Sequence, residues 1–198
     1  SKIYKKSQAN FASDDYEMRQ EFFLSKDSTM IPIFLAYKKG ISFDMERPTL
    51  LYGYGGFNIP IKPYFSKSNI ILLESGGVYA SANIRGGSEY GQEWHEGGML
   101  LNKQNVFDDF IYAAKYLFKE GISSPEFLAI KGGSNGGLLV GAVVNQRPDL
   151  FRVAFPEVGV MDMLRYEKFT IGHAWAVEYG TVNNRTFFEN LINYSPIH

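Results

Sequence analysis

A serine framed by glycines is the feature of this sequence with the clearest chemical potential. Residues 132–136 are Gly-Gly-Ser-Asn-Gly, which fits the pattern G-x-S-x-G. In that pattern the serine occupies a sharp turn between a strand and a helix, where side chains two residues to either side would clash. The turn raises the hydroxyl above the sheet and directs the next N–H, that of Asn135, toward a reacting carbonyl oxygen. Ser134 is therefore a candidate nucleophile, and the Asn135 N–H is a candidate oxyanion donor.

The pattern alone also fits a glycine-rich turn with a bystander serine, or a phosphate-binding turn. Average glycine and serine usage gives a chain of 198 residues a G-x-S-x-G pattern by chance about one time in ten. The context favours a nucleophile, because an apolar run at Phe127–Ile130 predicts a strand before it and Leu138–Gln146 predicts a helix after it. No Walker lysine follows these glycines, which disfavours a phosphate site.

The elements that must position this serine alternate between strand and helix after an initial hairpin. Tyr16–Ser25 and Met30–Tyr37 flank the turn signal Lys26–Thr29 and predict two antiparallel strands. Buried strands are predicted at Thr49–Tyr52, Val78–Ile84 and Phe127–Ile130, a further strand at Val153–Phe155, and helices at Ser66–Ser75, Val106–Phe118 and Leu138–Gln146. This order predicts an α/β fold with a doubly wound, mostly parallel sheet and an N-terminal antiparallel hairpin.

The longest predicted helix carries its own start signals. Apolar residues recur at i, i+3 and i+4 spacing through Val106–Phe118. Asn105 is the predicted N-cap. Asp108 and Asp109 then fall in the first turn, where the helix dipole favours negative charge.

The composition indicates a globular domain and disfavours several classes of function. The chain is 45% hydrophobic and 21% charged, with a net charge of -1 and no cysteine. A polybasic surface for nucleic acid or membrane is absent from this sequence, and no apolar run reaches the roughly 18 residues of a membrane span. No metal motif is present, and no cofactor is expected. A cytoplasmic location is expected, with the periplasm or secretion left open because the true N-terminus is expected to lie outside this sequence.

Several segments of this sequence resemble the prolyl oligopeptidase family of serine peptidases. Besides Gly132–Gly137, they are Leu51–Asn58, Ala82–Gly87, Gly98–Asp109, Asn145–Leu150, Val158–Met163 and Ile171–Trp175. The resemblance runs from about Tyr16 to the C-terminus. It implies a partial α/β-hydrolase catalytic domain over residues 16–198, incomplete at the C-terminus. Residues 1–15 resemble the linker that leaves the family's β-propeller, which is not in this sequence.

The resemblance implies roles for individual residues. Ser134 matches the nucleophile, the Asn135 N–H one oxyanion donor, and the Tyr54 hydroxyl the other. Four residues match walls of a pocket for the substrate proline ring: Trp175, which stacks on it, and Phe57, Val160 and Tyr179. A flat apolar slot suits proline, whose ring is rigid and whose nitrogen carries no hydrogen. Without the resemblance, these aromatic residues and Tyr54 are typical of an ordinary core.

The base and the acid of a serine hydrolase have no match in this chain. Such an enzyme needs both groups to activate the serine. The resemblance matches neither His95, His173 and His198 to the base nor Asp162 to the acid. The triad Asp and His are therefore expected beyond this chain, and the isolated polypeptide is expected to have no measurable peptidase activity. Arg85 is expected in a buried ion pair or a turn.

The sequence leaves three hypotheses about the function. The leading hypothesis is a serine peptidase that cleaves short peptides after proline through an acyl-enzyme on Ser134. The second keeps the fold with another specificity: dipeptidyl, acylaminoacyl or basic-residue peptidase, or esterase. The aromatic pocket disfavours the basic-residue variant, which needs carboxylates. The third is a non-catalytic module. Expected partners are short proline-containing peptides and the propeller and C-terminal part of the same protein, without nucleic acid or membrane.

Overall fold

The computed structural model describes residues 12–43, 45–64 and 66–198. Its strands are β1 (Tyr16–Leu24), β2 (Met30–Lys38), β3 (Thr49–Tyr52), β4 (Val78–Ala82), β5 (Leu128–Gly133) and β6 (Val153–Glu157). Its α-helices are α1 (Lys67–Glu74), α2 (Gln92–Glu96), α3 (Lys103–Lys119), α4 (Asn135–Gln146), α5 (Ala176–Tyr179) and α6 (Arg185–Tyr194). Short 3₁₀ turns lie at Ser13–Asp15, Leu100–Asn102, Pro148–Leu150, Tyr166–Lys168 and Gly172–Trp175. None of the helices in these ranges has the length and apolar character of a membrane span.

The N-terminal hairpin forms one side of the sheet. β1 and β2 are antiparallel, with Leu24 opposite Met30, and β2 continues antiparallel onto β4. The predicted hairpin is confirmed. Of the predicted linker, residues 1–15, only residues 12–15 lie in the described part of the chain.

The remaining strands are parallel and create a switch point in the sheet. The complete order is β1-β2-β4-β3-β5-β6, so the chain moves from β3 to one side and then crosses to the other side for β5. In open α/β sheets, ligands bind outside the carboxyl ends of the two strands where the order reverses. These are the ends of β3 and β5, which lead into residues 53–57 and to Ser134.

Helices cover both faces of the sheet, as a doubly wound fold requires. Side chains of Phe110 in α3 and Leu139 in α4 lie against the end of β3 at Gly53. On the opposite face, Tyr52 and Tyr79 line a cavity together with residues of α1. The predicted α/β fold with a mostly parallel sheet is confirmed.

Helix α3 begins earlier than the sequence pattern indicates. A 3₁₀ turn leads directly into it, and its N-cap is Asn102. The prediction that Asn105 is the N-cap is therefore wrong, because this residue lies within the first turn and donates its side-chain N–H to Gly97 O at 2.9 Å. The prediction that Asp108 and Asp109 lie in the first turn is also wrong, since the first turn of α3 holds no acidic residue.

Asp109 instead forms a buried ion pair with Arg85, the residue that follows β4 by three positions. The carboxylate of Asp109 is fully buried and accepts hydrogen bonds from the Arg85 Nε at 3.0 Å and Nη2 at 2.7 Å. It also accepts from the Ser25 hydroxyl. Arg85 Nη1 reaches Asp27 at 2.6 Å. The expectation of a buried ion pair at Arg85 is confirmed, and it ties the hairpin turn to α3.

We expect Asp109→Asn to lower the free energy of unfolding by about 3–5 kcal/mol, because it leaves the buried guanidinium without its counter-charge. The matched control is Asp108→Asn at the adjacent helix position. Asp108 pairs with the exposed Lys26, so its loss is expected to stay within about 1 kcal/mol. Urea denaturation of both variants measures the difference, and equal losses would contradict the structural role of the Arg85 pair.

Candidate active site

The turn between β5 and α4 consists of one residue, Ser134. β5 ends at Gly133 and α4 begins at Asn135, three residues earlier than the sequence pattern predicts. Ser134 holds φ 56° and ψ -116°, a conformation that few non-glycine residues adopt. Its N–H donates to Glu157 O in β6 at 2.9 Å. The backbone is thus fixed while the Ser134 residue stays exposed, which is the geometry of a nucleophile turn.

Asn135 joins this turn to the loop after β3. It is the first residue of α4, where a backbone N–H has no acceptor within the helix. Its buried side chain donates Nδ2–H to Tyr54 O at 2.6 Å. Its Oδ1 accepts from the Tyr179 hydroxyl at 2.9 Å and from Lys103 Nζ at 3.0 Å. The Asn135 side-chain amide therefore links the turn at Ser134 to Tyr54, Tyr179 and Lys103.

Tyr54 is half-buried in the loop that follows β3. Burial raises the pKa of its hydroxyl above the usual value, the Glu178 carboxylate adds to the rise, and a hydrogen bond with Ser134 opposes it. The phenol therefore stays protonated at neutral pH and can donate a hydrogen bond. The structure places the Tyr54 hydroxyl within hydrogen-bond distance of the Ser134 side chain. This proximity is what two groups that act on one reacting carbonyl require.

Three of the four predicted pocket residues form an aromatic cluster. The ring centroid of Phe57 lies 6.4 Å from that of Trp175 and 5.5 Å from that of Tyr179, with nearly perpendicular ring planes. Trp175 and Phe57 are half-buried, whereas Tyr179 is fully buried and donates its hydroxyl to Asn135. Edge-to-face packing is a favourable arrangement of aromatic rings. The cluster offers a partly open apolar surface made by Phe57 and Trp175.

Val160 lies in a different segment, between β6 and the turn at Tyr166–Lys168. It is half-buried and packs against the core. The preceding Gly159 lies against Gly137 in α4, whose added Cβ would be 2.5 Å from the Gly159 Cα. Val160 is thereby placed alongside the first turn of the helix that Ser134 caps.

A buried polar cluster that the sequence analysis did not identify lies behind these groups. Lys103 and Glu178 are 0% and 2% exposed. Lys103 Nζ donates to Gly55 O at 2.9 Å and is 3.5 Å from Glu178 Oε1. That Oε1 accepts the Phe57 N–H at 3.0 Å, and Glu178 Oε2 accepts from His95 Nε2 at 2.8 Å. Burial lowers the pKa of Lys103 to about 8, against the raising influence of Glu178, so Lys103 is mostly charged at neutral pH.

A signal for Lys103 was present in the sequence. Lys103 precedes Val106, Phe107 and Phe110 by three, four and seven positions, which places it on the apolar face of one helix. The predicted start at Asn105 excluded it from that face. Glu178 had no comparable signal, because its partners lie in three other segments of the chain.

Two of the three histidines form hydrogen bonds with residues other than Ser134. His95 bonds to Glu178, and His198 Nδ1 lies 2.8 Å from the Ser195 hydroxyl. His173 is exposed in the 3₁₀ turn before α5. Asp162, which the resemblance does not match to the triad acid, pairs with Arg165 three residues later. The described site therefore combines an exposed hydroxyl, the neighbouring Tyr54 hydroxyl and Asn135 N–H, and an apolar surface, a set of groups suited to the first half of acyl transfer.

Several known proteins are similar to this chain over most of its length. The "Prolyl oligopeptidase family" profile matches residues 63–198. A prolyl endopeptidase of Elizabethkingia meningoseptica is 53% identical over 199 residues, covering 100% of this chain and 28% of that protein. The structure of a post-proline cleaving enzyme from Rickettsia typhi has a TM-score of 0.96 at 45% identity, covering 99% of this chain and 28% of that one. Oligopeptidase B from Trypanosoma brucei with covalently bound antipain has a TM-score of 0.92 at 40% identity, covering 95% and 27%.

These matches extend over nearly all of the chain, which spans 28% of the length of the Elizabethkingia relative. They confirm the α/β-hydrolase fold that the resemblance implies. The chain belongs to the prolyl oligopeptidase family.

Proposed function

We propose that this chain is part of a serine peptidase that cleaves short peptides after proline, with Ser134 as the nucleophile. The observation that carries the proposal is the pairing of a strained, exposed Ser134 with the protonated Tyr54 hydroxyl. A serine with a bystander role would not need a positive φ, which costs on the order of 1–3 kcal/mol. Family membership supports the same chemistry.

In the proposed reaction, Ser134 Oγ attacks the carbonyl carbon of the proline residue while a base takes the hydroxyl proton. The carbonyl oxygen becomes an oxyanion, which accepts hydrogen bonds from the Asn135 N–H and the Tyr54 hydroxyl. The C–N bond then breaks, the amine leaves with the proton, and the acyl group stays on Oγ until water hydrolyses it. We place the base and its acid, a histidine and an aspartate, in the part of the protein outside this chain.

The aromatic cluster supports proline in preference to a basic residue at the cleaved position. A pocket for arginine or lysine needs a carboxylate with free oxygen lone pairs. Glu178 lies close to Phe57, but its oxygens already accept from the Phe57 N–H, Lys103 and His95. Its charge is balanced by the buried Lys103 ammonium. We therefore assign the apolar surface of Trp175 and Phe57, with Val160 and Tyr179 as further walls, to the proline ring.

The rest of the proposal concerns the whole protein. We assign residues 16–198 to the catalytic domain and residues 1–15 to the linker from a β-propeller. The partners would be short proline-containing peptides, this propeller and the C-terminal part of the catalytic domain. We propose the cytoplasm as the compartment, since a chain without cysteine gains nothing from an oxidising environment.

The full-length protein is expected to react with a fluorophosphonate probe at Ser134 and to cleave peptides best after proline. Ser134→Ala should abolish labelling and lower turnover about a millionfold. A peptide series with proline, alanine or arginine before the cleaved bond measures the specificity. We expect a graded loss of about 10- to 200-fold in kcat/KM for alanine, because one lost pocket contact has that effect.

Two outcomes would contradict this proposal in different ways. Labelling that survives Ser134→Ala would remove the assigned nucleophile, and the chain would then be a non-catalytic module or use another residue. Labelling with fastest cleavage after arginine would keep the nucleophile and reject the proline pocket.

Two neighbouring glycines provide a test of the serine turn. A Cβ on Gly132 would lie 2.2 Å from Gly136 O, whereas the nearest atom to a Cβ on Gly133 is Glu157 O at 3.9 Å. We expect Gly132→Ala to slow fluorophosphonate labelling about a hundredfold, since a displacement near 1 Å has that effect. Gly133→Ala should stay within about threefold. Equal effects of the two substitutions would show that the turn geometry does not control the reactivity of Ser134.

Tyr54→Phe tests the second oxyanion donor, because it removes the hydroxyl and keeps the ring. We expect kcat to fall about 100- to 1,000-fold, the usual effect of losing one such donor. Tyr52→Phe, two residues earlier at the end of β3, is the matched control and should change kcat by less than about threefold. Similar values for both variants would exclude Tyr54 from the oxyanion site.

A further inference from the structure

We infer that Lys103 and Glu178 are positioning residues that clamp the loop carrying Tyr54 and Phe57 against the turn at Ser134. The inference rests on the proposed function, because the loop matters for catalysis only if Tyr54 is an oxyanion donor. Neither residue faces the reaction centre itself. Both act through the backbone and side chains that they hold.

The first part of the clamp is Lys103. Its Nζ donates to Gly55 O at 2.9 Å and to Asn135 Oδ1 at 3.0 Å. One acceptor directly follows Tyr54, and the other directly follows Ser134. A single ammonium group therefore fixes the two segments that supply the oxyanion donors at a constant separation.

The second part is Glu178. Its Oε1 accepts the Phe57 N–H at 3.0 Å and faces Lys103 Nζ at 3.5 Å. Its Oε2 accepts from His95 Nε2 at 2.8 Å. An ionised carboxylate only accepts hydrogen bonds, so His95 Nε2 carries a proton. Glu178 thus joins the pocket side of the loop to α2 and to α5, the helix that also carries Tyr179.

The loop requires such a clamp because its backbone is strained. Phe57 and Asn58 have positive φ values of 56° and 57°, whereas Gly55, at 68°, adopts this region without a steric penalty. Left-handed non-glycine residues cost about 1–3 kcal/mol each and persist only where the surroundings hold them. Without the bonds to Gly55 O and Phe57 N–H, the loop would relax and Tyr54 would leave the serine.

A purely structural role explains these charges poorly. A buried ion pair adds little stability relative to apolar residues of the same volume, because desolvation offsets the attraction. A buried charged pair instead fixes the orientation of the groups that it binds, because charge-assisted hydrogen bonds are short and geometrically specific. Here the bonded groups are Gly55 O and the Phe57 N–H, which follow Tyr54 in the loop, and the side-chain amide of Asn135 next to Ser134.

The kinetic test measures kcat of Lys103→Met and Glu178→Gln in the full-length protein, each alone and combined with Tyr54→Phe. We expect each single variant to lower kcat about 10- to 100-fold, as a loop shift near 1 Å would. In the Tyr54→Phe background the further loss should be less than about threefold, because residues that act through one group are not additive.

Lys131→Met is the matched control for removing a paired lysine near the turn. Lys131 pairs with Glu157 at 3.0 Å on the surface, where the two side chains are 36% and 53% exposed. We expect this substitution to leave kcat within about threefold. If Lys103→Met yields little folded protein, Glu178→Gln, which keeps the side-chain shape, carries the same test.

Amide hydrogen exchange across residues 53–60 tests the clamp without any activity. The Phe57 N–H, bonded to Glu178, should exchange at least about tenfold faster in Lys103→Met and Glu178→Gln, and at the wild-type rate in Lys131→Met. Unchanged exchange, or full multiplicative losses of kcat with Tyr54→Phe, would overturn the clamp. Failure of the wild-type protein to label at Ser134 would instead overturn the proposed function, and the exchange result would still decide whether the clamp exists.

Discussion

The whole site depends on one backbone constraint: the chain passes from β5 to α4 within a single residue. Ser134 is that residue, and its positive φ of 56° is held by close contacts on both sides. Gly132 lies against Gly136, and Gly137 lies against Gly159, with no room for a Cβ at either contact. The serine hydroxyl and the N–H that follows it therefore have fixed directions before a substrate binds, which is the condition for electrostatic stabilisation of an oxyanion.

The topology of the sheet brings a second loop to this turn. Because β3 lies between β4 and β5 in the sheet, the loop after β3 and the turn after β5 are neighbours at the same edge. Asn135 connects them by donating its side-chain N–H to Tyr54 O. Lys103 connects them a second time by donating to both Gly55 O and Asn135 Oδ1. The proposed nucleophile and the proposed oxyanion tyrosine thus follow strands that are adjacent in space, although the two residues are separated by 80 positions in sequence.

Local patterns predicted the parts of the fold that depend on local rules. The hairpin, the strands and the serine turn follow from alternation, apolar runs and glycine spacing. The start of α3 was misplaced because a 3₁₀ turn at Leu100–Asn102 leads into the helix without a side-chain cap. Asp109 was assigned to the helix dipole, but its partner Arg85 is 24 residues away, and no local rule identifies such a pair. The proposed roles of Tyr54 and Trp175 depended on the family resemblance, because aromatic residues at these positions are equally typical of an ordinary core.

Helix α3 contributes one residue to each of two buried ion pairs, Asp109 and Lys103. The position of this helix therefore determines both the attachment of the hairpin and the geometry of the site. Asp109 binds Arg85 and the hairpin turn at Ser25, whereas Lys103 binds Glu178 and the loop at Gly55. The two α3 residues are six positions apart, which corresponds to about 9 Å along a rigid helix. A shift of one residue in the register of α3 would rotate both side chains by about 100°. It would break both pairs together, so the position of the hairpin and the geometry around Ser134 are set by the same helix.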